Sequence, residues 1–158
     1  MKIGVLSDTH GIKYTAEKAV ENMKDVNMVL HAGDLVSDAR HLEVLKYKVH
    51  YVAGNCDFYS LESTEKILEI HDKRIFLTHG HIYKVKFGYK KLLARAKQLF
   101  ADVVVFGHTH LPKNIYIDNI LLFNPGSTAL PKNGGPGTFG ILEITKENIN
   151  SYIDTVKI

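Results

Sequence analysis

Metal-binding side chains recur directly behind apolar runs in this chain: Asp8-Thr9-His10, Gly33-Asp34, Gly54-Asn55-Cys56-Asp57, Thr78-His79-Gly80 and Gly107-His108-Thr109-His110. The donors on offer are the carboxylates of Asp8 and Asp34, the imidazoles of His10, His79, His108 and His110, and the amide oxygen of Asn55. Mixed nitrogen and oxygen donors without thiolate suit Mn, Fe, Co, Ni or Zn. Two divalent ions would bring four positive charges, of which the two carboxylates remove two. The remainder calls for an anion, which a hydroxide and a phosphoester would supply. Two ions about 3.5 to 4 Å apart can clamp the attacking and leaving oxygens of an in-line displacement and generate hydroxide near neutral pH. The residues therefore describe a two-metal hydrolytic site.

Such a site needs elements that bring distant segments together. Each segment follows a β-type run: Lys2 to Leu6, Met28 to Leu30, Lys48 to Val52, Arg74 to Leu77, Val103 to Phe106. Ligand sites in open α/β sheets form beyond the carboxyl ends of strands, so five strand ends can converge on one place. Residues two apart on a strand point the same way. On that ground Asp8 with His10, and His108 with His110, are each expected to present two ligands to one cleft.

Between the first strands, Ala16, Ala19, Val20 and Met23 keep helical spacing, with Thr15 able to cap. A shorter helix is expected across Ala39, Leu42 and Leu45, giving βαβαβ and hence parallel pairing with right-handed crossovers. The pattern then changes. Lys66 to Ile70 and Arg74 to Thr78 read as a hairpin, Tyr89 to Phe100 as a helix, and Lys113 to Ile117 with Ile120 to Phe123 as a tight hairpin across Asp118-Asn119. Thr138 to Ile144 and Ile149 to Ile158 close the chain as strands, and Gly134 to Gly137 is a loop between strands. Parallel units followed by hairpins predict mixed sheets with helices outside.

With 158 residues, 45% hydrophobic and 23% charged, the chain fits one domain over 1–158 with a continuous core. A lone Cys excludes an internal disulfide framework and suits a reducing compartment. Asp8 and His10 interrupt the first apolar run too early for a signal peptide, and no run is long enough to span a bilayer. A soluble, cytoplasmic protein without a membrane partner is expected. A net charge of +3 is too mild to signal nucleic-acid binding. The lysines and Arg95 between 84 and 97 read most simply as the solvated face of the Tyr89 to Phe100 helix.

The ordered motifs D-x-H, G-D, G-N-x-D, H-G and G-H-x-H resemble the calcineurin-like metallophosphoesterase superfamily across essentially the whole chain. Asn55-Cys56-Asp57 and the Asn124-Pro125-Gly126-Ser127 loop look most like its compact bacterial and archaeal phosphodiesterase branch, which shares its fold with a retromer subunit. The resemblance implies a four-layer αββα sandwich of two mixed sheets. It implies that Asp8, His10 and His110 hold a first metal, that Asn55, His79 and His108 hold a second, and that Asp34 bridges them. Manganese is expected first, with nickel, iron, cobalt and zinc as alternatives. The implied nucleophile is a metal-bridging hydroxide. One departure matters: the family's usual catalytic His after the Asn is here Cys56.

Other residues receive plainer readings. His41, His50 and His71 read as packed or solvated, and His31 as ending a core strand. Asp57 either orients Asn55 or a neighbouring loop, and His81 either supports the ligands or meets substrate. Tyr59, Tyr83 and Tyr89 read as packing residues, Cys56 as a thiol with no ligand role, and Asn124 to Ser127 as a turn. The leading function is a dinuclear metal-dependent phosphodiesterase acting on a small phosphoester in an open cleft. Phosphomonoesterase activity and a non-catalytic protein-interaction scaffold like the retromer subunit are the alternatives.

Overall fold

The computed structural model describes residues 1–158. Strand β1 (Lys2–Leu6) is followed by helix α1 (Lys13–Asn22), β2 (Met28–His31), α2 (Val36–Val44) and β3 (Val49–Tyr51). The β4 (Glu65–Ile70) and β5 (Lys73–Thr78) hairpin leads through 3-10 turns at His81–Tyr83 and Val85–Phe87 to α3 (Lys90–Gln98). Then come β6 (Val103–Val105), β7 (Lys113–Ile117), β8 (Ile120–Asn124), β9 (Thr138–Ile144) and β10 (Ile149–Thr155). Two five-stranded sheets result, ordered β10-β9-β1-β2-β3 and β4-β5-β6-β8-β7. β1, β2 and β3 pair in parallel, as do β5, β6 and β8, while β9, β10, β4 and β7 are antiparallel additions.

Period-two alternation sorts the strand residues into layers. Ile3, Val5, Leu30, Ile75, Leu77, Val103, Val105, Leu121 and Phe123 meet between the sheets. On the first sheet's outer side Leu6 and Val29 pack with Ala16, Ala19 and Leu42 of the two helices. On the second sheet's outer side Phe76, Val104 and Leu122 pack with Leu92 and Ala96 of α3. The architecture is therefore the expected αββα sandwich of two mixed sheets. No helix is long and apolar enough to cross a membrane.

Two hairpin turns follow from residues that accept left-handed backbone. His71 and Asp72 (φ 47° and 64°), and Asp118 and Asn119 (φ 51° and 61°), have positive φ at both central positions, as type I′ turns require. Several boundaries shift from the sequence reading: β3 is shorter than 48–52, β5 begins at Lys73, α3 spans less than 89–100, and β10 stops at Thr155. The proposed Thr15 cap is not formed. Its hydroxyl donates instead to the Ile12 carbonyl at 2.9 Å, inside the first turn of a helix that starts at Lys13.

Candidate metal centre

Five of the seven candidate ligands have positive φ: Asp8 (53°), His10 (49°), Asp34 (99°), His108 (68°) and His110 (60°). They lie just past strand ends, where the chain has left the pleat. This corrects the expectation that strand parity aligns each pair. Left-handed backbone, costly for residues other than Gly and concentrated at functional sites, turns these side chains inward. The pair on the last loop is in fact split, with His110 beside Asp8 and His10, and the His108 ring centroid 5.1 Å from that of His79.

Two glycines allow the loops to stack. A Cβ on Gly54 would stand 2.3 Å from the Asp34 nitrogen, and one on Gly107 would stand 1.8 Å from the Ser7 hydroxyl. Only a residue without a side chain lets the Asn55 loop ride on the Asp34 loop and the His108 loop on Asp8.

Two groups of donor atoms gather within 4.8 Å of one another: Asp8 with His10 and His110, and Asp8 with Asp34 and His79. Asp34 reaches the first group as well, with Oδ2 3.1 Å from His10 Nδ1. Asn55 Oδ1 lies 2.8 Å from His79 Nε2. All seven sequence-derived residues thus surround one cleft.

The protons around the cluster are largely assigned by its outer contacts. Asp8 Oδ2 accepts from the Ser7 hydroxyl (2.8 Å) and the His108 amide (2.9 Å), leaving Oδ1 facing inward. His79 gives its Nδ1 proton to the Ala32 carbonyl at 2.8 Å, so its Nε2 lone pair confronts Asn55 Oδ1. His110 gives its Nδ1 proton to the Leu130 carbonyl at 2.9 Å, and its Nε2 is 3.0 Å from His10 Nε2. Asp8 Oδ1 and Asp34 Oδ2 are buried and receive no hydrogen bond. Buried carboxylate oxygens that receive no hydrogen bond are costly unless positive charge, from a metal ion or an imidazolium, lies beside them. The donor set fits divalent metal binding.

The electrostatics agree. Burial raises the Asp8 carboxyl, but the His110 contact, the His79 and His110 charges and the Ser7 hydroxyl outweigh it and hold the group below its ordinary value. Contact with Asp8 in turn lifts the His110 imidazole. Burial, helped by His79 and Lys86, pushes His108 down to about 4, keeping it neutral and able to ligate.

A buried network behind the ligands was missed by sequence reasoning. The Gly33 amide donates to His31 Nδ1 (3.2 Å), so His31 carries its proton on Nε2 and gives it to the Thr9 hydroxyl (3.1 Å). Thr9 donates to Asp38 Oδ2 (2.6 Å), which also accepts from the Gly11 amide (2.8 Å). His31, Thr9 and Asp38 are all buried, and together they lock the Asp8–His10 loop to the Asp34 loop. Asp57 joins two loops, accepting from the amides of Val36 and Gly54, both at 2.9 Å.

The Asn124–Ser127 segment is more than the turn expected of it. Ser127 donates to the Asp8 carbonyl at 2.6 Å, and Asn124 donates to the Gly107 carbonyl at 3.0 Å. The plainer readings of His41, Tyr83 and Tyr89 agree with their contacts: His41 pairs with Glu17 at 2.5 Å, and the tyrosines pack edge-on to Phe76 and Phe106. His81 stands beside the ligands, its ring centroid 5.4 Å from that of His79, with a buried Nδ1 that has no partner.

Comparison with known proteins gives the same direction. Residues 1–147 match the model of the calcineurin-like phosphoesterase superfamily domain. The chain is 32% identical over 148 residues to the probable metallophosphoesterase YsnB of Bacillus subtilis, covering 93% of this chain and 86% of that one. It is 30% identical over 168 residues to the phosphodiesterase YfcE of Escherichia coli, covering 90% and 88%. Among solved structures, a predicted phosphoesterase from Streptococcus pneumoniae superposes with a TM-score of 0.84 at 29% identity, covering 98% of this chain and 88% of that one. A zinc complex of Vps29 from Entamoeba histolytica shares the fold, with a TM-score of 0.75 at 22% identity over 99% of this chain and 100% of that one.

Proposed function

The chain belongs to the calcineurin-like phosphoesterase superfamily, and from that membership and the chemistry of the cleft we propose that it is a dinuclear metal-dependent phosphodiesterase acting on a small phosphoester. The observation that carries this reading is the pair of buried carboxylate oxygens, Asp8 Oδ1 and Asp34 Oδ2, which receive no protein hydrogen bond among inward-turned imidazoles. Asp8, His10 and His110 would hold one ion, Asn55, His79 and His108 the other, with Asp34 between them. Manganese is the first expectation for the metal, with nickel, iron, cobalt or zinc as alternatives. Bound there, two divalent ions would neutralise the phosphoryl oxygens and acidify a water to act as nucleophile.

The chain's own groups do the positioning. The Ala32 and Leu130 carbonyls fix the tautomers of His79 and His110, and Ser7 with the His108 amide fixes the Asp8 carboxylate. Such outer contacts hold ligands at the geometry a metal needs. His10 and His110 remain partly exposed, so the cleft opens to solvent. The names of YfcE and of an archaeal phosphodiesterase of known structure, 30% identical over 97% of this chain, favour a diester substrate. Assay of the Mn-loaded protein on bis(4-nitrophenyl) phosphate and 4-nitrophenyl phosphate tests the reading: the diester should be the better substrate. Preference for the monoester would replace diesterase with monoesterase activity, and metal-loaded protein active on neither would favour the scaffold reading.

A further inference from the structure

A groove of about 730 Å³ opens beside the His108–His110 loop, and three lysines line it: Lys86, Lys113 and Lys132. No Asp or Glu lines it. None of the three has a carboxylate within ion-pair distance, as the paired Lys18, Arg40, Arg74, Arg95 and Lys97 do, and what sets them apart from other unpaired lysines is that they share one concavity. Three cations facing one concavity without counter-charge repel one another and favour an anionic occupant.

The groove adjoins the metal-ligand loop, since Thr109, between His108 and His110, lines it. The Lys132 amide donates to the His110 carbonyl at 3.4 Å. Val85, in the groove wall, packs against Gly80, the residue after His79. Lys86 and Lys132 are close enough to His108 and His110 for their charges to bear on those imidazoles. Pro112 and Lys113 continue directly from the ligand loop, and Leu111 and Pro112 add apolar wall suited to a sugar or base. A phosphoester held at the metals would therefore extend a neighbouring anionic group over the lysines.

Resting on the phosphodiesterase reading, we propose that this groove is a substrate subsite for a second anionic group, so that the preferred substrate class is a phosphodiester carrying an additional phosphate, such as a nucleotide ester phosphorylated at a second position. Lys86, Lys113 and Lys132 contact that second phosphate as point charges and act on binding rather than on the bond that breaks.

A matched pair of esters tests it: the 4-nitrophenyl ester of thymidine 5′-monophosphate, with and without a 3′-phosphate. They share leaving group and nucleoside and differ in the second anion alone. With Mn-loaded full-length protein, the 3′-phosphorylated ester should show a KM about tenfold lower at similar kcat, the scale of two or three partly exposed charge contacts. Raising ionic strength should erode the difference. The triple variant Lys86→Gln/Lys113→Gln/Lys132→Gln, with an unchanged unfolding midpoint, should bring the two KM values within twofold of each other. Equal KM values in the wild type, or an unchanged KM ratio in the triple variant, overturn the proposal. Calorimetric titration with thymidine 3′,5′-bisphosphate and thymidine 5′-monophosphate gives a readout without turnover. A tenfold preference for the bisphosphate that the triple variant loses supports the subsite even if no diester is hydrolysed; the same affinity for both ligands rejects it.

Discussion

His79 Nε2 stands 2.8 Å from Asn55 Oδ1, and because the Nδ1 proton goes to the Ala32 carbonyl, the two face each other as acceptors. A divalent cation shared between them makes that arrangement favourable. Titration with Mn(II) should therefore saturate at two ions and raise the unfolding midpoint, since a ligand at about 100 times its Kd contributes roughly 2.7 kcal/mol. Asp34→Ala should weaken both sites, His110→Ala chiefly the first and His79→Ala chiefly the second. Saturation of the wild type at a single ion contradicts the two-metal assignment.

Thr9 shows how the ligand loops are held. Thr9→Val is nearly isosteric but leaves the His31 Nε2 proton without an acceptor and Asp38 short of one donor. Each orphaned buried group should cost about 1–3 kcal/mol. Metal affinity should fall by roughly 10- to 100-fold as the flanking ligands Asp8 and His10 loosen. Thr9→Ser keeps the hydroxyl and should cost about 1 kcal/mol, the scale of one buried methyl. Equal losses in the two variants, measured by urea unfolding, would show that the hydroxyl carries nothing.

The strand-end ligands are legible in sequence because each lies within a few residues of a glycine just past an apolar run, a local pattern that needs no partner to be seen. The hairpin at Asp118-Asn119 is legible for the same reason. Thr9, His31, Asp38 and Ser127 are not. Their partners lie 22, 29 and 119 residues away along the chain, and a single sequence carries no record of which distant residues meet. Asp38 looks like an ordinary acid in a helix's first turn, a place where acids are favoured for the helix dipole alone. The left-handed backbone at Asp8, His10, Asp34, His108 and His110 is set by tertiary packing, so that backbone rather than strand parity turns His108 and His110 inward, each toward a different neighbour.

His31 gives an acid-sensitivity prediction. Burial, the dominant influence, pushes its pKa from 6.5 to about 4 in the folded protein. Between those values the unfolded chain binds a proton that the folded protein refuses, so stability falls as pH drops from about 6.5 toward 4. The loss should reach roughly 3 kcal/mol at 1.36 kcal/mol per pH unit. His31→Gln should make the dependence of unfolding free energy on pH shallower in that window, with His108, also held near 4, supplying part of what remains, whatever the substitution does to stability at pH 7. Parallel pH profiles for the two proteins in chelator would place the titration elsewhere.

The proposed nucleophile makes a stereochemical prediction. Attack by water in a single displacement leaves no covalent intermediate on the protein. Hydrolysis of a suitable diester in ¹⁸O-labelled water should place one solvent oxygen on phosphorus with inversion of configuration. Net retention at a chiral phosphorus implies two displacements and a nucleophilic side chain.

Cys56 stands where the family pattern places a catalytic His, and its environment makes it a poor acid. The neighbouring Asp34 carboxylate, followed by burial, pushes the thiol up to about 11. At neutral pH it remains a thiol, and a thiol is a weak hydrogen-bond donor. An acid so far above the working pH gives little help to a departing oxygen, whereas imidazolium near 6.5 is well matched to that task. Rates should therefore fall steeply as leaving-group pKa rises, with nitrophenyl diesters turning over far faster than alkyl ones. Cys56→His should flatten that dependence by raising the slow substrates' rates, toward the roughly 10²- to 10⁴-fold typical of a positioned acid, if the imidazole reaches the leaving oxygen. Cys56→Ser should change little, because the thiol is neither nucleophile nor ligand. Kinetics of the three proteins on a series of aryl diesters decide the matter: abolition of activity by Cys56→Ser with metal content intact would make the thiol itself part of the chemistry.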